Sequence, residues 1–169
     1  MRQSFIEVLR SSTDERRALF SAAASDLETR AENIEKDLYV CWVLDFLFNR
    51  RKDDAIGLYF KGGTSLSKTY SLIQRFSEDI DIGIYKADLK VPLEADIAAL
   101  SSVTQQQKAL AEQVDEAARH YISGPLKSSL EEEIAAIEGE TGQTGHLSLN
   151  ATSVALDPSN SDQKVISLP

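Results

Sequence analysis

Apolar positions divide the chain into a helical start, a strand-rich middle, and a second helical stretch that gives way to alternating positions. Leu19, Ala23 and Leu27 recur at helical spacing, and Ser12-x-x-Glu15 ahead of them has the form of a capping box. Together they predict a first helix from Ser12 through about Arg30. A second helix is expected from about Asn33 to Phe48. Leu38, Trp42, Val43, Leu44, Phe46 and Leu47 make it apolar on most sides, which predicts deep packing against a sheet. Ile56 to Phe60 is a short run of strand formers. Gly62-Gly63 breaks that run, because without a Cβ the backbone can turn sharply. Thr64 or Ser65 then caps a helix with Leu66, Tyr70 and Ile73 on one face, and a second strand follows, with Ile80, Ile82 and Ile84 pointing into a core.

After Lys86, Pro92 is expected to open a helix with Leu93, Ile97 and Leu100 along one face. Residues 104–122 read as a long polar helix with a thin stripe of Leu110, Val114, Ala117 and Tyr121. Gly124-Pro125 is expected to break the chain before a further helix from Leu126 to about Ile137. The run Glu131-Glu132-Glu133 reads as a solvated helix face. Residues 146–156 alternate as a strand, 158–162 read as a loop, and Gln163 to Leu168 as another strand. The fold class this implies is α/β (α+β): a small mixed sheet flanked by helices. Its parts are the N-terminal helices (1–49), a motif core (55–86), a helical insertion (92–138) and sheet strands (146–169).

A chain of 169 residues with 42% apolar content is enough for one domain with its own core. No apolar run reaches the roughly 18 residues of a membrane span. The opening MRQSFIEVLR lacks the apolar centre of a signal peptide, so the expected location is cytoplasmic, with no membrane partner. A net charge of −9 argues against a broadly basic nucleic-acid surface. It leaves room for a local patch. Arg50, Arg51 and Lys52 form one small cluster, and Lys61, Lys68 and Arg75 lie near the two-strand motif. Arg50 to Asp54 itself reads as a solvated loop. Cys41, inside the second helix beside Trp42, reads as core packing, and the isolated His120 and His146 as surface or hydrogen-bonding residues.

The chemistry concentrates in the motif core. Asp79 and Asp81 stand two apart on the second strand, so both carboxylates face one side of the sheet. Paired carboxylates repel unless a cation lies between them or one is protonated. Mg²⁺ takes oxygen ligands and commonly joins one or two carboxylates to substrate phosphates. The Gly62-Gly63 turn leads into a helix N-terminus, where free N–H groups favour an anion. A triphosphate could lie between turn and metal, an arrangement suited to phosphoryl or nucleotidyl transfer. The candidate ligands for Mg²⁺ are Asp79 and Asp81. The candidates for nucleotide binding are Gly62, Gly63, Thr64, Ser65, Lys61, Lys68 and Arg75.

A glycine turn, a helix and an Asp-x-Asp strand, in that order, resemble the signature of the DNA polymerase β-like nucleotidyltransferases. The fuller strings KGGTSLSK and RFSEDID, with the lead-in IEKDLYVCWVLDFLF over 34–48, resemble the AbiEii/AbiGii toxin branch more closely. The resemblance is strongest over residues 30–90. It implies a single nucleotidyltransferase-like domain, acting as the toxin of a bacterial type IV-like toxin–antitoxin or abortive-infection (phage defence) pair. It further implies Mg²⁺ as cofactor, an NTP as substrate, RNA (tRNA among the candidates) as acceptor of the NMP, and a cognate antitoxin as partner. Members of this superfamily usually place a third carboxylate on a later strand. Asp157, beside Pro158, lies near the last strands and reads as a turn residue. The expectation is therefore that the chain corresponds to the N-terminal part of such a toxin. Two other readings stay open: a truncated non-catalytic module that binds a nucleotide or a partner, and a small-molecule nucleotidyltransferase.

Overall fold

The computed structural model describes residues 1–52, 55–63, 65, 80–91, 95–100 and 102–142. Helices α1 (Arg2–Arg10), α2 (Thr13–Asp26) and α3 (Ala31–Asp45) lead into a π-helical turn at Phe46–Arg50. Strands β1 (Leu58–Lys61) and β2 (Asp81–Ile84) follow, then a 3-10 turn at Lys86–Leu89 and a short helix α4 (Ala95–Ala98). Helix α5 (Val103–Tyr121) passes through a second π-helical turn, Ile122–Leu126, into α6 (Lys127–Thr141). The described chain is thus an α+β fold, mostly helical, with one antiparallel strand pair. The strands expected at 146–156 and 163–168, and Pro92 with Leu93, lie outside the described residues.

The capping box forms as the sequence indicated. Ser12 Oγ accepts from the Glu15 backbone N–H, and the Glu15 carboxylate accepts from the Ser12 backbone N–H at 2.8 Å. These bonds from Ser12, first the backbone one and then the hydroxyl, hold the Glu15 carboxyl below its ordinary value. Helix α2 stops at Asp26 rather than near Arg30, because Glu28 takes a left-handed φ of 49° and turns the chain toward α3. Helix α1 lies ahead of the first helix that the sequence pattern predicts. Its signal is Phe5, Ile6 and Leu9, all buried.

Two apolar clusters hold the body together. In the first, Phe5 stacks on Trp42 with centroids 5.0 Å apart, and Ile6, Leu9 and Ile137 close around them. This pins α1 against α3 and α6. In the second, Ile80, Ile82 and Ile84 pack against Val40, Phe46 and Leu47 and against Ala118, Tyr121, Ile122, Leu126 and Leu130. The alternation through β2 is therefore real: the three isoleucines are 3%, 1% and 2% exposed. Each such side chain removed from water contributes about 1.5–3 kcal/mol. Of the expected α5 stripe, Val114 and Tyr121 are buried, while Ala118 rather than Ala117 completes the contact. Ile97 is buried on α4, whereas Leu100 stays at the surface.

The structure corrects four local expectations. Gly124-Pro125 does not break the chain, because the π turn widens the helix there and accommodates Pro125 between α5 and α6. Arg50 to Lys52 do not form a solvated basic cluster. The first π turn, closed by the Arg51 N–H on Phe46 O at 2.8 Å, brings both arginines back onto the body. Arg50 Nε donates to Asp45 Oδ2 at 2.7 Å, its Nη1 donates to Glu133, and the guanidinium lies 5.7 Å from the Phe46 ring centroid. Arg51 donates to the Tyr121 hydroxyl and, at 2.7 Å, to Ile56 O. The third correction is the Glu131–Glu133 run. Glu131 and Glu132 are exposed, but Glu133 accepts from both Arg2 (2.9 Å) and Arg50. Cys41 also differs from the reading as core. It is half-buried, with its thiol 3.9 Å from Asp37 Oδ2, while its neighbour Trp42 fills the core position.

Candidate active site

The strand pair positions the site. Register places Leu58 opposite Ile84, Tyr59 opposite Gly83, Phe60 opposite Ile82, and Lys61 opposite Asp81. With the isoleucines turned to the core, period-two alternation sends Tyr59, Lys61 and Asp81 to the other face. Lys61 and Asp81 are thus cross-strand partners of opposite charge on the face away from the helices, and both are half-buried.

The glycine turn meets that pair directly. Gly62 has a φ of +75°, a conformation that L side chains rarely adopt. A Cβ built on it would lie 1.9 Å from Asp81 Oδ2, so the carboxylate occupies the space that any side chain at 62 would need. Gly63 faces open space. Ser65, only 7% exposed, donates from Oγ to Gly62 O at 2.8 Å and so closes the turn. Local sequence thus explains the geometry: the strand ends because Gly62 can take a positive φ, and the same missing side chain lets Asp81 approach the turn.

The other end of the strand pair is fastened by polar bonds. Tyr85 N–H donates to Gly57 O at 3.0 Å, and Gly57 N–H donates to Asp88 Oδ2 at 2.8 Å. Asp88 comes from the 3-10 turn, so that turn caps the ladder. Tyr59 and Tyr85 rings meet on this face with centroids 5.1 Å apart. Burial first, and the neighbouring Tyr85 second, hold the Tyr59 phenol above its ordinary value, so it remains a neutral hydroxyl. Neither tyrosine stands out as a site residue in the sequence. The signal available was the face parity of 59, 81 and 85.

Of the sequence-derived candidates, Lys61, Gly62, Gly63, Ser65 and Asp81 come together at this end of the strands. Asp79, Thr64, Lys68 and Arg75 lie outside the described residues, as do His146 and Asp157. Of the two expected Mg²⁺ ligands only Asp81 lies among the described residues, and those residues hold no group of three or more His, Cys, Asp or Glu side chains placed for a metal. Asp81 offers a hard carboxylate oxygen beside a glycine turn, away from the apolar core, as an ion that keeps several waters requires. No helix among the described residues is long and apolar enough to cross a membrane.

Fold and site together define an α+β protein in which a glycine turn on one strand receives an acid from its antiparallel neighbour. The family of the nucleotidyl transferase AbiEii toxin of type IV toxin–antitoxin systems matches residues 45–168, and the chain belongs to that family. Helices α1 and α2 and nearly all of α3 precede the matched segment. Comparison with curated proteins and with solved structures returned no match.

Proposed function

We propose that this member is a Mg²⁺-dependent nucleotidyltransferase toxin that moves an NMP from an NTP to RNA, with tRNA the first acceptor to test, and that a cognate antitoxin opposes it. The observation that carries this reading is the Asp81 carboxylate lodged against Gly62 at positive φ. An acid and a bare backbone turn in contact offer a metal ligand and a phosphate approach at one point.

Asp81, with Asp79, would hold the ion. Bound Mg²⁺ supplies charge neutralisation for the phosphates and orientation of attacking and leaving oxygens. The chain's own residues do the rest. Gly62 and Gly63 let phosphate oxygens come close to the backbone without meeting a Cβ. Lys61, on the face of Asp81, adds positive charge beside the phosphates. Thr64, Lys68 and Arg75 are the further candidates to contact the nucleotide, and Ser65 keeps the turn closed through Gly62 O. The NMP joins an acceptor hydroxyl and pyrophosphate leaves.

The test is transfer of label from each α-labelled NTP to total bacterial tRNA by wild type, Asp79→Ala and Asp81→Ala. Wild type should label RNA with Mg²⁺ and stop on chelation, and each variant should fall by about 100-fold or more. Undiminished transfer by both variants would overturn the reading. A folded wild type that binds NTP but transfers nothing would favour a non-catalytic nucleotide-binding module instead.

A further inference from the structure

The face that carries Asp81 also carries an aromatic pair with an unusual setting. Both tyrosines lie across glycines of the opposing strand segment. A Cβ on Gly83 would sit 2.0 Å from Tyr59 Cζ, and one on Gly57 would sit 2.7 Å from Tyr85 Cδ2. Each ring therefore reaches over the bare backbone of the opposing segment, the two ring planes are tilted 58° to one another, and Tyr85 is the ring left open on its outer side. Tyr85 remains 54% exposed. Cross-strand aromatic pairing helps to hold two strands together, but that purpose is served best by covered rings, and this pair is left half open beside a charged site.

Position adds to this. Along the face the order is Tyr85, Tyr59, then the Lys61–Asp81 pair and Gly62. Tyr59 is two residues from Lys61, a separation of about 7 Å along a strand. That is the scale of the sugar that separates a phosphate from its base. With a net charge of −9 the protein has little general electrostatic attraction for a polyanion, so stacking, which any base can provide, becomes the natural source of affinity.

We infer that the open ring of Tyr85, backed by Tyr59, is a stacking shelf for a nucleobase held beside the phosphates at Asp81 and Gly62. This deepens the proposed function and rests on its placement of the phosphates. The base is contributed either by the bound NTP or by the terminal nucleotide of the RNA acceptor.

The experiment is equilibrium titration, without turnover, of wild type, Tyr85→Ala and Tyr85→Phe. The probes are the four NTPs, inorganic tripolyphosphate and a short single-stranded RNA. Tyr85→Ala should weaken binding of at least one base-bearing probe by about 5- to 30-fold, while tripolyphosphate binding stays unchanged and Tyr85→Phe stays close to wild type. Weakening confined to NTPs assigns the base to the donor nucleotide, and weakening confined to RNA assigns it to the acceptor. Equal affinity of wild type and Tyr85→Ala for all base-bearing probes would overturn the shelf. So would a parallel loss of tripolyphosphate, or a wild type that binds no base-bearing probe. A wild type that transfers no label but shows the base-dependent loss would refute the enzyme and leave the shelf standing. Tyr85 is exposed enough that its alanine variant should fold, and circular dichroism with Tyr59→Phe provides the check.

Discussion

The helical body and the strand pair use their charged residues in opposite ways. In the body, Arg2 and Arg50 converge on Glu133, Arg50 also holds Asp45, and Arg51 holds a carbonyl and a tyrosine hydroxyl. These side chains tie α1, the first π turn and α6 together across 131 and 83 residues of sequence. In the strand pair, Lys61 and Asp81 stand on the face turned away from the core, beside a turn with no side chains. Charge in the first region serves as structure, and in the second it lies half-buried beside the glycine turn on which the proposed function rests. A basic cluster in sequence is therefore a poor guide to nucleic-acid contact here, because two of its members are already committed to the fold.

That contrast can be broken by substitution. Arg50→Ala should be the most damaging change in the body, since it leaves Asp45 and Glu133 partly buried without their shared cation. The expected loss is about 3 kcal/mol, read as a melting temperature lower by roughly 10 °C. The folded fraction should transfer label at the wild-type rate. A specific loss of RNA labelling by well-folded Arg50→Ala would place this arginine in the substrate path and blur the distinction. Ser12→Ala removes the cap of α2, which lies ahead of the matched family segment. It should cost about 1 kcal/mol, visible in thermal unfolding, with transfer unchanged.

The smallest effect expected is one of pH. Asp45 is held below its ordinary value: burial opposes the charged form, but hydrogen bonds from Asn49 and Arg50 outweigh it. Glu140 is lowered chiefly by its bond to Arg2. A carboxylate with a depressed folded value stabilises the protein above its unfolded pKa and loses that contribution as pH falls through the folded one. Melting temperature should therefore decline as pH drops below the ordinary carboxylate range, around 4. Arg50→Ala should show a shallower decline. An identical slope in both proteins would mean that the Asp45 pairing contributes nothing.

What was legible in the sequence follows from range. The β2 alternation needed only a period of two, and the Ser12–Glu15 box only three residues, so both could be read directly. Gly62-Gly63 announced a turn, but the contact with Asp81 depends on strand register, which periodicity alone does not set. The π turns were not legible. The second inserts one residue into a helical pattern that otherwise continues, and the first ends its helix while redirecting Arg50 and Arg51 inward. The Glu133 partners are far off in sequence, so a run of three acids gave no sign that one of them is structural. Helix α1 was recoverable from Phe5, Ile6 and Leu9, but nine residues offer little periodicity against which to judge it.

The central claim is that Gly62 and Asp81 form one working unit, and Gly62→Ala tests it most directly. The added methyl meets Asp81 Oδ2 and strains a φ of +75°, while the helical body lies elsewhere. Label transfer from NTP to tRNA and thermal unfolding should be measured together for wild type and Gly62→Ala. The expected result is a drop in transfer of about 100-fold with unfolding still cooperative and a melting temperature shifted by only a few degrees, about what 1–2 kcal/mol produces. Transfer at the wild-type rate by folded Gly62→Ala would contradict the account.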